Sequence, residues 1–174
     1  MSDNIIPTET DKAWMAGFVD GEGCITISKQ IRKTRPSPSY RVMVTISNTY
    51  KPVLEYFTQV YGGNIYHIHE RRKDKQNVKW ADAYDWYCPI GSAARFLNDI
   101  LPYLRIKQKQ AKICLDFLAN KTNTQRSIRG ESLLSGSEGL TQEELDRREE
   151  WRIAVQQLNS KGKRSRSLLS GDNT

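Results

Sequence analysis

The 174-residue chain contains few cysteines and no long apolar run. Both features exclude classes of protein. Its three cysteines, Cys24, Cys88 and Cys114, are odd in number and form no C-x-x-C pair, so we predict free thiols and no disulfide framework. No apolar stretch approaches the roughly 18 residues that span a bilayer, so we predict no membrane partner. The polar residues 1–11 lack the pattern of a secretory signal, and we expect an intracellular, reducing compartment.

Acidic residues are also in deficit, with 20 Asp and Glu against 27 Lys and Arg and a net charge of +7. The excess is local, because residues 29–79 hold eleven basic and three acidic side chains while the rest of the chain is close to neutral. A localised cationic surface favours a nucleic acid as partner, although charge alone also allows a solvated face without one. We therefore expect a compartment that contains DNA, such as the bacterial cytoplasm or an organelle.

Hydrophobic periodicity predicts an α+β domain. Apolar residues at helical spacing predict helices over residues 8–20, 51–61, 92–102, 106–119 and 141–158. Alternating patterns predict two hairpins, made by strands 24–32 and 40–47 and by strands 64–72 and 78–90. In the second hairpin the register stays open: Tyr66 and Ile68, or His67 and His69, face outward, and Asp82 on an apolar face suggests a bulge.

Composition divides the chain into four parts. Residues 1–119 are predicted to form the core, and the polar residues 120–140 a flexible connection. Residues 141–160 are predicted to form a helix, opened by a capping box between Thr141 and Glu144, that packs on the core. Residues 161–174 are predicted to be a disordered basic tail that adds nonspecific attraction to phosphate.

The end of the first predicted helix carries an unusual set of residues. Ala13, Gly17 and Gly21 recur every four residues, so they form a smooth stripe on which another helix can pack closely. A glycine inside a helix costs about 1 kcal/mol, and the stripe therefore needs a compensating contact. Asp20 and Glu22 follow at a helix C-terminus, where the macrodipole disfavours carboxylates. Acids in this position favour a functional role.

Other interpretations of these residues have less support. An EF-hand is excluded because Cys24 and Ile31 would fill loop positions that must ligate calcium. In a purely structural interpretation, Asp20 caps a neighbouring backbone and Glu22 is solvated. A zinc site is disfavoured because its candidate ligands share no local ligand-spaced motif; these are His67, His69, Cys24 and Cys88.

Residues 15–23, M-A-G-F-V-D-G-E-G, resemble the LAGLIDADG motif of the homing endonucleases. The resemblance extends from Thr8 to about Ala119 and includes the segments Y-D-W-Y-C-P-I-G at 84–91 and L-P-Y-L-R-I-K-Q-K-Q-A at 101–111. It implies an αββαββα core with an antiparallel, saddle-shaped sheet, followed by a C-terminal helix. A single copy of the motif implies a homodimer in which two motif helices meet through Ala13, Gly17 and Gly21.

The resemblance also implies a function: a site-specific DNA endonuclease that makes a metal-dependent staggered double-strand break in a long, roughly palindromic target. Cutting two strands fits two or more Mg²⁺ ions per dimer, and Mn²⁺ or Ca²⁺ can occupy the same site. Glu22, in place of the motif's final Asp, and the Gly21 carbonyl match the metal ligands. Asp20 matches a structural acid, Lys107 the basic catalytic residue, and Asn48 a polar residue that orients water or metal.

In this family the outward face of the sheet follows the major groove, which is wide enough for a two-stranded ribbon. The side chains predicted to face bases are Thr26, Ser28, Gln30, Arg32, Arg41, Met43, Thr45 and Tyr66. Those predicted to hold phosphates from loop tips are Lys33, Arg35, Arg71, Arg72, Lys73 and Lys75. The competing functions are a nuclease-inactive maturase, with intron RNA as a partner, and a sequence-specific DNA-binding regulator. Glu22 and Lys107 discriminate between them, because a pure binder needs no metal ligand.

Overall fold

The computed structural model describes residues 5–34, 37–68, 82–124 and 140–160. These residues form five helices and one four-stranded sheet, which confirms the predicted α+β class and the αββαββα order of the core. The elements are α1 (Glu9–Glu22), β1 (Gly23–Gln30), β2 (Ser39–Asn48), α2 (Lys51–Tyr61), β3 (Asn64–Ile68), β4 (Ala83–Tyr87), α3 (Ala93–Ile100), α4 (Gln108–Thr124) and α5 (Gln142–Ser160). None of these helices is both long and apolar enough to cross a membrane.

The sheet is antiparallel, with strand order β1-β2-β4-β3. Alternation along the strands gives it two different faces. The inner face packs against the helices and is apolar; its buried residues include Ile25, Ile27, Tyr40, Val42, Val44, Ile46 and Trp86. The outer face carries no helix from the described part of the chain, and polar side chains occupy most of it.

Aromatic side chains fill the space between the sheet and the helices. Phe57 of α2 and Phe96 of α3 both contact the Trp86 ring of β4, with ring centroids 5.3 and 5.5 Å apart. Trp86 is completely buried, and its indole nitrogen donates a hydrogen bond to the carbonyl of Gly62 at 3.0 Å. A buried tryptophan needs such an acceptor, so this bond also fixes the turn between α2 and β3.

Several element ends differ from the predicted ones. Helix α1 includes Gly21 and ends at Glu22, because the Lys107 ammonium group caps its last carbonyls. Strand β1 ends at Gln30, which pairs with Ser39, so Ile31 lies beyond the sheet with 81% of its surface exposed. Helix α3 begins without a side-chain cap from Ser92, whose backbone is already helical.

Helix α4 differs at both ends from the predicted range 106–119. It begins at Gln108, since the amides of the three preceding residues bind a carboxylate, and Ile106 is 71% exposed. It continues to Thr124, five residues into the segment predicted as a flexible connection. Residues 125–139 and the predicted basic tail, 161–174, lie outside the described residues.

The second hairpin is partly described. Strand β4 ends at Tyr87, three residues earlier than predicted, and Pro89 follows. Tyr66 pairs with Asp85 and Ile68 with Ala83, which places Tyr66 and Ile68 on the outer face and His67 on the inner face. Asp82 lies before β4 and binds His67 at 3.0 Å, and the pairing from Ala83 to Tyr87 is continuous, so the expected bulge is absent from the described part of the hairpin. Residues 69–81, including His69, lie outside the described residues.

Helix α5 packs on β1 and α4 through few apolar residues. Val155 is buried, and the ring centroids of Trp151 and Phe117 of α4 are 5.7 Å apart. Ile153, which was predicted to lie on the apolar face of this helix, is 40% exposed. Polar contacts supply the rest. Glu149 accepts hydrogen bonds from the Tyr40 hydroxyl at 2.7 Å and from the Lys29 ammonium at 3.1 Å. The helix is therefore fixed to β1 and β2 by one carboxylate.

Glu149→Gln should destabilise the protein by about 1–2 kcal/mol at pH 7, because charge-assisted hydrogen bonds are lost. Hydrogen bonds from Arg152, opposed by burial and assisted by Tyr40 and Lys29, lower the Glu149 pKa from 4.5 to about 2. A lowered pKa contributes stability above pH 4.5 that disappears as the pH falls towards 2. Urea unfolding at pH 7 and pH 3 measures the effect. The neighbouring exposed Glu150→Gln is the control; equal stability of the two variants would contradict the role of Glu149.

Candidate active site at the end of the first helix

The last turn of α1 is connected to the segment before α4 by one carboxylate. Asp20 is buried, with 9% of its surface exposed, and accepts three backbone hydrogen bonds. The amides of Arg105, Ile106 and Lys107 donate at 2.6, 3.1 and 2.9 Å. These bonds satisfy a charge that would otherwise be costly to bury, and they hold Lys107 beside the helix end. Asp20 thus occupies a structural position in the site.

Asp20→Asn should lower the free energy of unfolding by about 2–3 kcal/mol, since an amide group would set a donor against the backbone donors. Burial raises the Asp20 pKa, but the three backbone bonds and the Lys107 charge outweigh it, and the pKa lies below its usual 3.8. The contribution is therefore present above pH 3.8 and is lost as the pH falls through the native pKa. Urea unfolding at pH 7 tests this against the exposed Asp146→Asn, and an equally small effect of both variants would contradict it.

Lys107 lies at the C-terminus of α1. Its ammonium group donates to the carbonyl of Val19 at 3.0 Å and to the carbonyl of Asp20. A cation here complements the negative end of the helix macrodipole. Gly21 and Glu22 come next, and both are exposed. The Glu22 carboxylate makes no hydrogen bond or ion pair with any other residue that the structure describes, so it is available to a ligand.

The turn from α1 into β1 requires glycine at position 23. A Cβ atom on Gly23 would lie 2.8 Å from the Val19 carbonyl oxygen, which no side chain can accommodate without moving the backbone. The close approach turns the chain directly from helix to strand. As a result, Glu22 projects where α1 meets the edge of the sheet.

Asn48 ends β2 on the same side of the sheet. Gly23 pairs with Ile46, so Asn48 lies two residues beyond the start of β1. Its amide oxygen accepts a hydrogen bond from the Tyr50 backbone at 2.8 Å and shapes the turn into α2. The amide NH₂ group of Asn48 and the second lone pair of its amide oxygen are left for the predicted role in orienting water or metal.

The predicted stripe of small residues forms an open face of α1. Ala13, Gly17 and Gly21 are exposed, whereas Met15, Ala16 and Val19 on the opposite side are buried. A Cβ atom built on Gly17 or Gly21 would meet nothing within 4 Å. Packing among the described residues therefore gives no reason for these two glycines.

The outer face of the sheet groups most of the residues predicted to read bases. Pairing places Thr26 beside Met43 and Ser28 beside Arg41, and Thr45 lies next to Tyr87. Gln30 ends β1 on this face, while Arg32 and Lys33 are exposed beyond the strand. Tyr66 is 55% exposed on β3. The remaining predicted phosphate contacts lie outside the described residues: Arg35, Arg71, Arg72, Lys73 and Lys75.

Sequence analysis missed three residues on this face. Ser47, Asp85 and Tyr87 point outward, because Ser47 pairs with Asp85 and Thr45 with Tyr87. The alternation of β4 contained the signal, since Trp86 is buried and its two neighbours must face away. These residues add a carboxylate and a second aromatic ring to the surface.

The residues at the end of α1 fit a magnesium ion only in part. Glu22 and the Gly21 carbonyl offer the hard oxygen donors that Mg²⁺ prefers, and both are accessible. The Asp20 oxygens are occupied by backbone amides. Among the described residues no group of three His, Cys, Asp or Glu side chains could hold a metal.

Comparison with known proteins identifies proteins that are similar to this chain in sequence and in fold. The family model described as LAGLIDADG endonuclease matches residues 15–85. The DNA endonuclease I-CvuI of Chlorella vulgaris is 29% identical over 114 residues, which are 64% of this chain and 66% of that protein. The chain thus spans just under two thirds of that relative.

Solved structures share the fold. I-CvuI in complex with a DNA target in the presence of Mg has a TM-score of 0.63 at 23% identity, covering 86% of this chain and 82% of that chain. The archaeal intron-encoded homing endonuclease I-Vdi141I, complexed with DNA, has a TM-score of 0.65 at 15% identity, with coverages of 90% and 89%.

The LAGLIDADG homing endonuclease I-LtrWI bound to target DNA has a TM-score of 0.57 at 18% identity, and the match covers 86% of this chain but 45% of that chain. One unit of this fold therefore corresponds to less than half of the longer protein. The matched motif lies at the end of α1, where Asp20, Gly21 and Glu22 come together. Residues 15–85 therefore match the LAGLIDADG endonuclease family model, and the described residues share the fold of the LAGLIDADG homing endonucleases.

Proposed function

We propose that this chain is a homodimeric, site-specific DNA endonuclease that makes a magnesium-dependent, staggered double-strand break in a long, roughly palindromic target. One observation carries the proposal. The exposed stripe of Ala13, Gly17 and Gly21 ends at Glu22, an accessible carboxylate, beside a sheet with one bare polar face. A binding protein would need the polar face, but it would not need an acid at the end of a self-complementary helix.

The open stripe supports the dimer. Two copies of α1 that meet on a two-fold axis form an isologous contact, in which each Gly17 faces the partner helix and the backbones approach closely. This packing would compensate the cost of the helical glycines. The coverage of 45% on I-LtrWI is consistent with a functional unit that contains two such folds. Each copy would then bring one Glu22 to the same centre.

Oxygen donors from two copies would add to the two that the end of α1 offers in one copy. Glu22 and the Gly21 carbonyl of each copy would hold Mg²⁺ together with oxygens of the DNA. When bound, such ions lower the pKa of a coordinated water and stabilise charge on the attacking and leaving oxygens. Mn²⁺ and Ca²⁺ prefer similar oxygen donors and would compete for the same residues.

Lys107 would supply positive charge on the protein side of the reaction. Its ammonium group donates a hydrogen bond to the Val19 carbonyl oxygen at 3.0 Å, one helical turn before Glu22. In this position it would offset the negative charge that grows on the scissile phosphate. Asp20 would act as a positioning residue, because its three backbone bonds fix the segment that carries Lys107. The free amide NH₂ of Asn48 would orient the attacking water.

The outer face of the sheet would enter the major groove and read bases. Arg32 and Arg41 suit guanine, Gln30 suits adenine, and Met43 suits the methyl group of thymine. The hydroxyl groups of Thr26, Ser28 and Thr45 would contribute smaller contacts to base edges. Lys33 would hold a phosphate beyond the end of β1. Together these contacts would select a half-site, which the two-fold axis repeats as a near-palindrome.

Cleavage selection from a randomised duplex library with roughly palindromic symmetry, in the presence of Mg²⁺, tests the function directly. We expect cleaved molecules enriched in two inverted half-sites, and no cleavage when EDTA replaces Mg²⁺. Symmetric enrichment by binding alone, without cleavage, would instead identify a DNA-binding regulator. If the protein bound no DNA of the library above background but bound structured intron RNA, the maturase alternative would replace the proposal.

A further inference from the structure

Asp85 is an acid at the centre of the outer face. It lies on β4, a middle strand of the sheet, and pairs with Ser47 of β2 on one side and Tyr66 of β3 on the other. The Ser47 hydroxyl donates a hydrogen bond to one carboxylate oxygen of Asp85. This bond orients the carboxylate between the two neighbouring strands.

The second carboxylate oxygen has no cationic partner in the described residues. The ion pairs formed there involve other acids, and Asp85 remains partly exposed. On a surface that faces a polyanion, such a carboxylate is repelled unless it accepts a hydrogen bond from the nucleic acid. The bases offer two donors in the major groove, the N4 amino group of cytosine and the N6 amino group of adenine.

The chemistry of the base edges favours cytosine. Adenine presents its N7 acceptor next to the N6 amino group, and a carboxylate is repelled by a neighbouring acceptor. On the cytosine base itself, the N4 donor has no such acceptor beside it in the groove. An ionised carboxylate, which can only accept, therefore matches the cytosine edge better.

Two tyrosines surround this position. Tyr66 is paired with Asp85 and Tyr87 lies two residues along the same face, with 55% and 37% of their surfaces exposed. Their ring centroids are 5.5 Å apart at nearly a right angle. The rings would limit the access of water to the carboxylate, and a hydrogen bond to a base is stronger when water is excluded.

The place of Asp85 along the sheet defines which base pair it meets. Ser47, its partner, follows Ile46, which pairs with Gly23 at the start of β1 and next to Glu22. Arg41 lies six residues back along β2, or about 20 Å at the usual rise of a strand. Asp85 therefore faces a base pair nearer to the cleavage centre than the one that Arg41 faces.

We propose that Asp85 determines specificity by accepting a hydrogen bond from the N4 amino group of a cytosine at an inner base pair of each half-site. The inference rests on the proposed DNA-cleaving function and adds a residue and a base to it. Asn in place of Asp85 would carry a donor as well as an acceptor, which matches adenine N6 and N7. Ala in place of Asp85 would leave the position without a preference.

The randomised palindromic library, cleaved in Mg²⁺ by the wild type, Asp85→Asn and Asp85→Ala, tests the proposal. The wild type should enrich cytosine at one inner position. Asp85→Asn should shift that position towards adenine, and Asp85→Ala should reduce the cytosine preference about 5- to 10-fold, as a single base contact would. All other positions should stay unchanged. Asp82→Asn is the matched control, because that exposed acid binds His67 at 3.0 Å and should leave the profile as it is.

The outcomes separate the two proposals. Sites enriched by the wild type without cytosine at an inner position, or with the same profile for all variants, would overturn the role of Asp85 and leave the endonuclease function intact. If Asp85→Ala cleaved all library sequences more slowly by the same factor, the proposal would also be overturned. That pattern would show that Asp85 affects the overall charge or the stability of the protein and does not read a base. If the wild type cleaved no sequence, the proposed function itself would fail.

Discussion

Glu22→Gln should reduce magnesium-dependent DNA cleavage by at least about 10³-fold, because it removes a charged oxygen ligand from the reacting centre. Binding to the preferred DNA site should remain close to that of the wild type. The carboxylate forms no hydrogen bond or ion pair with the described residues, so the fold does not depend on it. Cleavage and binding are measured on the same labelled duplex, with Mg²⁺ for cleavage and Ca²⁺ for binding.

Glu143→Gln is the matched control for this result, since Glu143 is an exposed glutamate in the first turn of α5. It should cleave at the wild-type rate. Normal cleavage by Glu22→Gln would remove Glu22 from the mechanism. Loss of binding and cleavage together would indicate that the residue supports the complex instead of the reaction.

Gly17→Glu should produce a folded chain that no longer dimerises. The position is exposed and a side chain there meets nothing within 4 Å in the same chain, so the fold should accept it. Glutamate also favours a helix over glycine by about 0.5–1 kcal/mol, and the thermal stability of the monomer should not fall. On the two-fold axis, however, two carboxylates would face each other and separate the helices.

Light scattering on the purified protein measures this directly: the variant should have a mass near the 20.0 kDa of one chain, where the wild type has about twice that. Double-strand cleavage should fall at least about 100-fold, the factor that a contact of nearly 3 kcal/mol represents. Gly91→Glu is the control, because Gly91 is also in open space but lies outside α1. A dimeric, active Gly17→Glu protein would contradict the stripe as an interface.

Local patterns were sufficient to predict much of the fold. Helix α2 begins and ends where the spacing of apolar residues, Pro52 and Gly62 predict. The alternation in β2 correctly separated Val42, Val44 and Ile46 from the outward residues. These features depend on contacts within one element, and a few consecutive residues are enough to show their hydrophobic periodicity.

Features that depend on distant residues were not predictable in this way. The start of α4 is displaced because the amides of Arg105 to Lys107 bind Asp20, which lies about 85 positions earlier in the chain. Likewise, the hydroxyl of Ser47, on a strand 38 residues away in sequence, orients the Asp85 carboxylate. In both cases a tertiary hydrogen bond decides the outcome, and a pattern over ten residues carries no information about it.

The site residues also differ in whether a local pattern or a contact between distant residues determines their positions. The spacing of Gly17, Gly21 and Glu22 was visible in the sequence, because a helical face has a fixed period. A basic role for Lys107 was expected from family resemblance alone, whereas its contact with the carbonyls of that helix was not expected and accompanies the anchoring of its own amide by Asp20. The role of each residue in cleavage stays a prediction for the variants described above.

A mixed dimer tests the central claim, that two copies of α1 bring two Glu22 carboxylates to one centre. Wild-type and Glu22→Gln chains with different affinity tags are co-expressed, and the dimer that carries both tags is isolated and incubated with a supercoiled plasmid containing the selected site and Mg²⁺. We predict no linear product above that of the Glu22→Gln homodimer, with any remaining activity limited to nicked circles. Linear DNA formed at half the wild-type rate or faster would contradict the claim, because one glutamate would then be enough to cut both strands.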